Sequence, residues 1–305
     1  FWRGAPGMRR VIVRHIEESA TQRLLLENGD IDIARNLNPE DIAAVSAEEG
    51  ITVDSDLRGR IMYFSLNQKN PILSKPKVRE AVKYLVDYQT MADTFLRGQY
   101  TVHQAFLPLT YMGELKEQPF SLNIEKAKAL LAEAGHADGF EVEIIVRTAQ
   151  ERVEIAQSLQ STFAQAGITV SISQATGKQT LAKYRAREFD IYVGAWGPDY
   201  PDPHTNADTF ADNPDNSDEA KLTGKLAWRV GWDIPGLSAK TQAAVQESDR
   251  ATRAEMYRDI QREFQATSPF AIMFQKIEQV ARRDNVQGFV TGSAITAAFY
   301  WTVSK

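Results

Sequence analysis

The 305-residue sequence contains no cysteine. Disulfide bonds, thiolate metal sites and cysteine nucleophiles are therefore excluded. The lack of disulfides does not assign a compartment, because a chain of this length can bury enough apolar surface to fold without them. The fold must therefore rest on an ordinary apolar core.

Long apolar runs and surplus positive charge are also missing. No stretch approaches the roughly 18 consecutive apolar residues that a membrane-spanning helix needs. Lysine and arginine number 35 against 40 aspartates and glutamates, which gives a formal net charge of −5. A chain with this balance has no broad basic face, so nucleic acid is not an expected partner.

The motifs of common enzymes and metal proteins are missing as well. None of the four histidines stands at HExxH or HxH spacing. There is no GxSxG nucleophile turn, no GxxxxGK[ST] phosphate loop and no GxGxxG turn after a strand. We therefore expect no catalytic residue, no metal and no cofactor. These absences favour a binding protein over an enzyme, although a catalytic half could lie upstream.

The sequence does contain alternating strand and helix signals. Period-2 patterns and short apolar runs predict strands at 9–16, 31–34, 51–53, 60–66, 140–146, 168–172, 189–195, 270–274, 277–281 and 295–303. Helical spacing and capping residues predict helices at 19–27, 39–49, 76–97, 124–135, 151–166 and 180–187, and one helix, or two with a break near Asp249, at 241–266. Two βαβαβ patterns result, which favour sheets covered by helices.

The most informative stretch is GAWGPDYPDPHTNADTF, residues 194–210. It follows an apolar strand signal, and its three prolines between residues 198 and 203 forbid a helix there and remove the N–H donors that a sheet needs. A stiff loop at the carboxyl end of a strand lies where α/β sheets bind ligands. Trp196 and Tyr200 can stack on a ligand there, while Asp199 and Asp202 can hold a cation. The alternative is an ordinary surface turn, since Gly-Pro and Asp-Pro are common turn formers.

Several weak motifs occur in an order that resembles one known family. They are LLENGDIDIA at 25–34, Asn67 followed by PKVREAV at 76–82, Arg97-Gly98, FLP at 106–108, ALLAEAG at 129–135, Ala166-Gly167-Ile168 and the loop at 196–203. Together they resemble the C-terminal part of the extracytoplasmic solute-binding proteins of family 5, which serve dipeptide, oligopeptide and nickel ABC transporters. The resemblance covers essentially the whole sequence, and its strength lies in the order of the motifs.

The resemblance implies an α/β fold of the two-lobed, periplasmic-binding-protein-like type (class II, cluster C). Residues 1–66 would be the remainder of lobe I, residues 67–269 lobe II, and residues 270–305 the return to lobe I, with two crossing strands between the lobes. The family's signal peptide, the first part of lobe I and its small extra domain have no counterpart in the sequence. The resemblance therefore implies a further N-terminal portion, as another chain or as preceding sequence, without which we expect no stable receptor.

The same resemblance implies a periplasmic, or otherwise extracytoplasmic and membrane-associated, receptor of an ABC importer. It would trap a small peptide or peptide-like solute between its lobes by hinge closure. Its partners would be this ligand, the permease subunits and the N-terminal portion of the protein. In peptide-binding members, an acid in the matching loop pairs with the ligand's α-ammonium group, and Asp199 stands at that position. Trp196 and Tyr200 would line the ligand site.

Other interpretations stay open at this point. Arg147, at the end of a predicted strand, could hold a ligand carboxylate through two parallel hydrogen bonds, or could be an ordinary surface arginine. A receptor of the same fold could take an opine, a sugar conjugate or a metal chelate. A protein of a different class, a hydrolase on a two-lobed α/β scaffold, could use Asp199 and Asp202 as acid and base.

Overall fold

The computed structural model describes residues 4–291 and 298–305, in which helices and strands alternate along much of the chain. The helices are α1 (Ser19–Asn28), α2 (Pro39–Val45), α3 (Pro76–Lys83), α4 (Tyr88–Asp93), α5 (Ile124–Glu133), α6 (Gln150–Ala164), α7 (Gly177–Ala186), α8 (Pro203–Phe210), α9 (Leu226–Arg229), α10 (Pro235–Gln246) and α11 (Arg250–Thr267). The strands are β1 (Ile33–Arg35), β2 (Ile51–Leu66), β3 (Tyr100–Val102), β4 (Phe140–Arg147), β5 (Ile168–Ala175), β6 (Ile191–Trp196), β7 (Phe270–Arg283), β8 (Val290–Thr291) and β9 (Ala298–Phe299).

One seven-stranded sheet contains all of the described strands except β8 and β9, which pair with each other. Its order is β1-β7-β2-β6-β4-β5, with β3 paired to β7. Strand β4 runs parallel to β5 and β6, whereas β2 is antiparallel to β6 and β7. The carboxyl ends of β4, β5 and β6 therefore meet at one edge of the sheet.

Two strands are much longer than the sequence predicted. Strand β2 has 16 residues and joins the strands predicted at 51–53 and 60–66. Strand β7 has 14 residues and joins those predicted at 270–274 and 277–281. The two strands pair antiparallel along most of their length. This pairing gives backbone hydrogen-bond partners to the polar residues between the predicted strands, whose own sequence does not indicate a strand. Strands β2 and β7 are the candidates for the two crossing strands that the resemblance implies, which stay a prediction.

Both faces of the sheet bury apolar side chains, because neighbouring residues of a strand point to opposite faces. Met62 and Phe64 belong to a cluster with α3, α5 and α6, while Ile61 and Tyr63 belong to a cluster with α8, α10 and α11. We call these two clusters the main core. A smaller group, the α1–α2 cluster, consists of Leu26, Ala34, Leu37, Ile42, Val45 and Ala281. The main core includes residues on both sides of the expected lobe boundaries at residues 66 and 270, since Phe64 and Phe270 both belong to it. Those boundaries stay a prediction.

Most of the predicted helices are confirmed to within a few residues. The helix predicted at 76–97 is wrong in its length, because α3 ends at Lys83 and α4 begins at Tyr88. The carboxylate of Asp87 accepts a hydrogen bond from the backbone N–H of Thr90, so it caps α4 and separates it from α3. The break predicted near Asp249 is confirmed, since the carboxylate of Asp249 caps α11.

The strand predicted at 9–16 is wrong. These residues form no ladder with any residue that the structure describes. Their apolar side chains stay accessible, with Val11 44%, Ile12 70% and Val13 77% exposed. Of the strand predicted at 295–303, the first three residues lie outside the described residues, and only Ala298–Phe299 form a strand.

Candidate functional site

The candidate site lies at the sheet edge where β4, β5 and β6 end. Strand β6 ends at Trp196 and β4 ends at Arg147, and the two strands are parallel with Val146 opposite Val193. Because parallel strands end on the same side, the backbone carries Arg147 and the loop after Trp196 to one edge. Helix α6 begins at Gln150, directly after β4, so its N-terminus lies at this edge as well.

The loop between β6 and α8 is held at both ends. Trp196 pairs with Ile61 of β2, and its ring packs edge-on against Phe210 of α8, with 5.8 Å between the ring centroids. At the other end, the carboxylate of Asp202 caps α8 by accepting a hydrogen bond from the N–H of His204 at 2.8 Å. The loop is therefore positioned by the sheet and by the main core.

The carboxylate of Asp202 is engaged within the chain. Arg253 of α11 donates hydrogen bonds to both of its oxygens, at 3.0 and 3.2 Å. Burial acts to raise the pKa of Asp202, but the hydrogen bonds from Arg253 and from the N–H of His204 outweigh it and hold that pKa below its usual value. Asp202 is therefore ionised at neutral pH and anchors the loop. The ligand contact predicted for it stays a prediction.

Asp199 and Tyr200 lie on the exposed part of the loop. Tyr200 is 56% exposed, and Asp199 is exposed as well. Within the described part of the chain, no lysine or arginine forms an ion pair with Asp199. Its carboxylate is thus available to a cation from outside, three residues after an indole ring that is fixed against the core.

Arg147 is exposed at the end of β4. Its guanidinium lies beside Gly177, the first residue of α7, where an added Cβ would be 3.5 Å from the Cζ of Arg147. Over the residues that the structure describes, no carboxylate forms an ion pair with it. The guanidinium can therefore meet a ligand carboxylate, although that role stays a prediction.

Sequence reasoning missed three cationic residues close to this edge. Arg60 lies in β2, Lys276 in β7 and Arg152 in the first turn of α6. Arg152 is only 4% exposed. The sequence carried one signal for it, because Arg152 precedes Ile155 and Leu159 on the apolar stripe of the helix.

Metal-binding clusters are absent from residues 4–291 and 298–305. In that part of the chain, no three histidine, aspartate or glutamate side chains come together in a way that could hold a metal ion. The helices of the same residues include none that is long and apolar enough to cross a bilayer.

A known protein family matches most of the sequence. The model of the bacterial extracellular solute-binding proteins, family 5 Middle, matches residues 1–218, well over half of the chain. The chain belongs to this family. The resemblance seen in the motif order is thereby confirmed, and so is the expected α/β fold of the two-lobed, periplasmic-binding-protein-like type.

Three relatives illustrate the range of this solute-binding family. The probable D,D-dipeptide-binding periplasmic protein DdpA of Escherichia coli (strain K12) is 26% identical over 295 residues, which cover 96% of this chain and 56% of the relative. The periplasmic binding protein DppA from Helicobacter pylori, solved with the peptide STSA, is 21% identical with a TM-score of 0.85, over 95% of this chain and 56% of that one. The PBP AgaA from A.tumefacien R10, solved with agropinic acid, is 25% identical with a TM-score of 0.76, over 90% of this chain and 55% of that one. The chain spans little more than half the length of these proteins.

Proposed function

We propose that this family 5 protein is the substrate-binding receptor of an ABC importer, which traps a small peptide or peptide-like solute and delivers it to the membrane permease. The observation that carries the proposal is the loop after β6. It offers an unpaired carboxylate on Asp199 and the rings of Trp196 and Tyr200 at the edge where α/β sheets bind ligands. The α-ammonium group of a peptide suits that carboxylate, because attraction between opposite charges strengthens when a closing cleft excludes water.

The cellular location of the receptor, its partners and its lobes belong to the same proposal. Two relatives, DdpA and DppA, are periplasmic binding proteins, and the second is associated with an ABC transporter, which supports an extracytoplasmic location and a partnership with permease subunits. In the proposed arrangement, residues 67–269 form the lobe that closes on the ligand, while residues 1–66 and 270–305 belong to the other lobe. A portion corresponding to the remaining length of the relatives would complete that second lobe.

The structure gives no support to a hydrolase with Asp199 and Asp202 as acid and base. A general acid must hold a proton at the working pH. Asp202 is ionised, and its two oxygens accept hydrogen bonds from Arg253 and from the backbone N–H of His204. Its carboxylate is therefore committed to the position of the loop, and the proposed protein is a receptor without catalytic activity.

An opine acid is a second candidate ligand. The likeness to AgaA, which was solved with agropinic acid, favours it. Arg147 at the sheet edge offers a guanidinium group to the carboxylate of either candidate. Titration of the protein with agropinic acid beside a dipeptide distinguishes the two ligand classes.

The proposal is tested by calorimetric titration of the protein, expressed from its complete reading frame, with Ala-Ala and with N-acetyl-Ala-Ala. We expect Ala-Ala to bind, and the acetylated peptide, which lacks the α-ammonium group, to bind about tenfold more weakly or worse. Asp199→Asn should lower the affinity for Ala-Ala by a similar factor and leave the affinity for the acetylated peptide unchanged.

Asp233→Asn is the matched control, because it removes an exposed carboxylate that is not part of the loop and should change neither affinity. Equal binding of Ala-Ala by Asp199→Asn and Asp233→Asn would show that Asp199 is not the ammonium partner. If agropinic acid binds and no peptide does, the ligand class is the opines and the peptide proposal is wrong.

A further inference from the structure

Strands β2 and β7 fall out of register close to the ligand edge. The shift lies between Leu57 and Ile61 of β2, so that residues 58–60 lie opposite the single residue Lys276 of β7. Ile61 also pairs with Trp196 at the end of β6. The irregular part of the crossing strands therefore adjoins the start of the proposed ligand loop.

Arg60, Arg152 and Lys276 come together at this place, and we call them the hinge cations. Burial is the main cause that lowers the pKa of both Arg152 and Lys276, and the charge of Arg60 is the next, which puts Arg60 within electrostatic reach of each of the other two. The ring centroid of Tyr100 lies 4.5 Å from the Nζ of Lys276. Burial raises the pKa of Tyr100 to about 12, against the charges of Arg60 and Arg152.

The hinge cations have no ionic partner in the described structure. Arg152 is 4% exposed, and the Nε atoms of Arg60 and Arg152 are buried without a hydrogen-bond acceptor. Across residues 4–291 and 298–305, no carboxylate forms an ion pair with Arg60, Arg152 or Lys276. Buried charges are normally paired, because an unpaired one loses its hydration without compensation.

The two carboxylates that act on Lys276, those of Glu151 and Glu278, leave the positive charge in excess. Glu278 is bound by Arg58 at 2.8 Å and by the Nε of Arg35 at 3.0 Å. Glu151 and Glu278 act to raise the pKa of Lys276, but burial and then Arg60 outweigh them and lower it to about 8. The group therefore favours the arrival of a further negative charge.

Arg152 also stands where a helix disfavours a cation. It lies in the first turn of α6, a helix of 15 residues, and the N-terminus of a helix carries a partial positive charge. Ala149, the residue before the helix, has no side chain that could cap it. An anion at this end would be stabilised by the helix and by Arg152 together.

We propose that the hinge cations bind an anionic group of the ligand, so that the receptor selects acidic solutes such as peptides with an acidic side chain. This inference rests on the proposed receptor function and narrows its substrate class. The hinge cations adjoin the strand end from which the Asp199 loop departs, so one ligand can present its ammonium group to Asp199 and a carboxylate to the hinge. The alternative is that a carboxylate from another part of the protein, and not from the ligand, pairs with the hinge cations.

The test compares Ala-Glu with Ala-Gln, which differ in one negative charge and hardly in shape. Titration of the protein from its complete reading frame should show Ala-Glu binding about tenfold more tightly or better. Lys276→Met and Arg60→Met should each reduce the affinity for Ala-Glu toward that for Ala-Gln and leave Ala-Gln unchanged. Arg185→Met removes an exposed arginine of α7 and is the matched control, with both affinities unchanged.

Thermal unfolding of the ligand-free variants identifies the source of the anion. Loss of repulsion should raise the Tm of Lys276→Met above that of the unaltered protein. A lower Tm together with equal affinities for the two peptides would mean that a carboxylate of the protein itself pairs with the hinge, and the inference would be overturned.

Failure of the receptor proposal can be told apart from failure of this inference. If both peptides bind equally well in every variant, the receptor proposal stands and the acidic preference is wrong. If neither peptide binds, a titration with sulfate tests whether the hinge cations bind an anion, since sulfate is a divalent anion without peptide groups. A rise in Tm with sulfate that disappears in Lys276→Met supports the anion site, whereas the same rise in both proteins contradicts it.

Discussion

The main core and the α1–α2 cluster differ in how fully their apolar side chains are shielded from solvent. The main core covers both faces of the seven-stranded sheet and joins helices from residues 76 to 267. The α1–α2 cluster has six buried apolar residues, and the segment at 11–13 leaves its apolar side chains accessible. Apolar burial scales with stability, so the main core contributes most of the stabilisation. The comparison separates a region that positions the site from a region that is weakly held.

The largest expected effect is that of Phe210→Ala in the main core. Phe210 is fully buried, and its ring contacts five other aromatic rings, those of Tyr63, Phe106, Trp196, Phe264 and Phe270. Removal of a buried phenylalanine ring should lower the free energy of unfolding by about 4 kcal/mol, measured by urea denaturation. The loop that packs on Phe210 should also lose order, and ligand affinity should fall with it. A loss below about 1 kcal/mol would contradict a closely packed core.

A smaller and more local effect is expected for Leu26→Ala in the α1–α2 cluster. Leu26 is fully buried, so its truncation should cost about 3 kcal/mol. Hydrogen exchange should accelerate in α1 and α2 and stay unchanged in β4, β5 and β6, because the two regions share few contacts. Ile12→Ser is the exposed control and should change stability by less than about 0.5 kcal/mol. Equal acceleration of hydrogen exchange in α1 and α2 and in β4, β5 and β6 would show that the α1–α2 cluster and the main core unfold together.

Lys83 makes the stability of the main core depend on pH. Its ammonium group is buried and donates a hydrogen bond to the backbone oxygen of Gln265 at 2.8 Å. Burial, with the charge of Arg79, lowers the pKa of Lys83 from 10.5 to about 7, against a smaller opposite effect of Glu80. The unfolded chain therefore binds more protons between those values, and the free energy of unfolding should rise as pH increases from 7 to 10.5.

The measurement compares the unaltered protein with Lys83→Met by urea denaturation at pH 7 and 9. The rise with pH should be about 2 kcal/mol larger in the unaltered protein. Lys77→Met, which removes an exposed lysine of the same helix, should leave the rise unchanged. Parallel pH curves for all three proteins would show that Lys83 titrates as an exposed lysine does.

Local signals were enough to predict the parts of the fold that carry their own capping and turn residues. Helix α5 begins after Asn123, whose side chain caps it, and α2 begins with Pro39, as their sequences indicate. The stiff loop after β6 was predicted from its prolines in the same way. These elements depend on residues that are close together in sequence, so each can be predicted from its own segment.

Features that depend on distant partners were not predictable from one segment. The polar middle of β2 becomes a strand only because β7 pairs with it across the sheet. Residues 9–16 have a strand pattern but no partner among the described residues. The engagement of Asp202 depends on Arg253, which is 51 residues further along the chain. The same holds for the hinge cations, which come from two strands and one helix.

The register shift in the crossing strands has a mechanical consequence. Between Leu57 and Ile61, three residues of β2 face one residue of β7, so the ladder of hydrogen bonds is interrupted at this point. In the proposed two-lobed arrangement, a rotation at this point would also change the spacing of Arg60 and Lys276. An anion bound between these two side chains would resist that rotation, so that anion binding and the angle between the proposed lobes would be coupled.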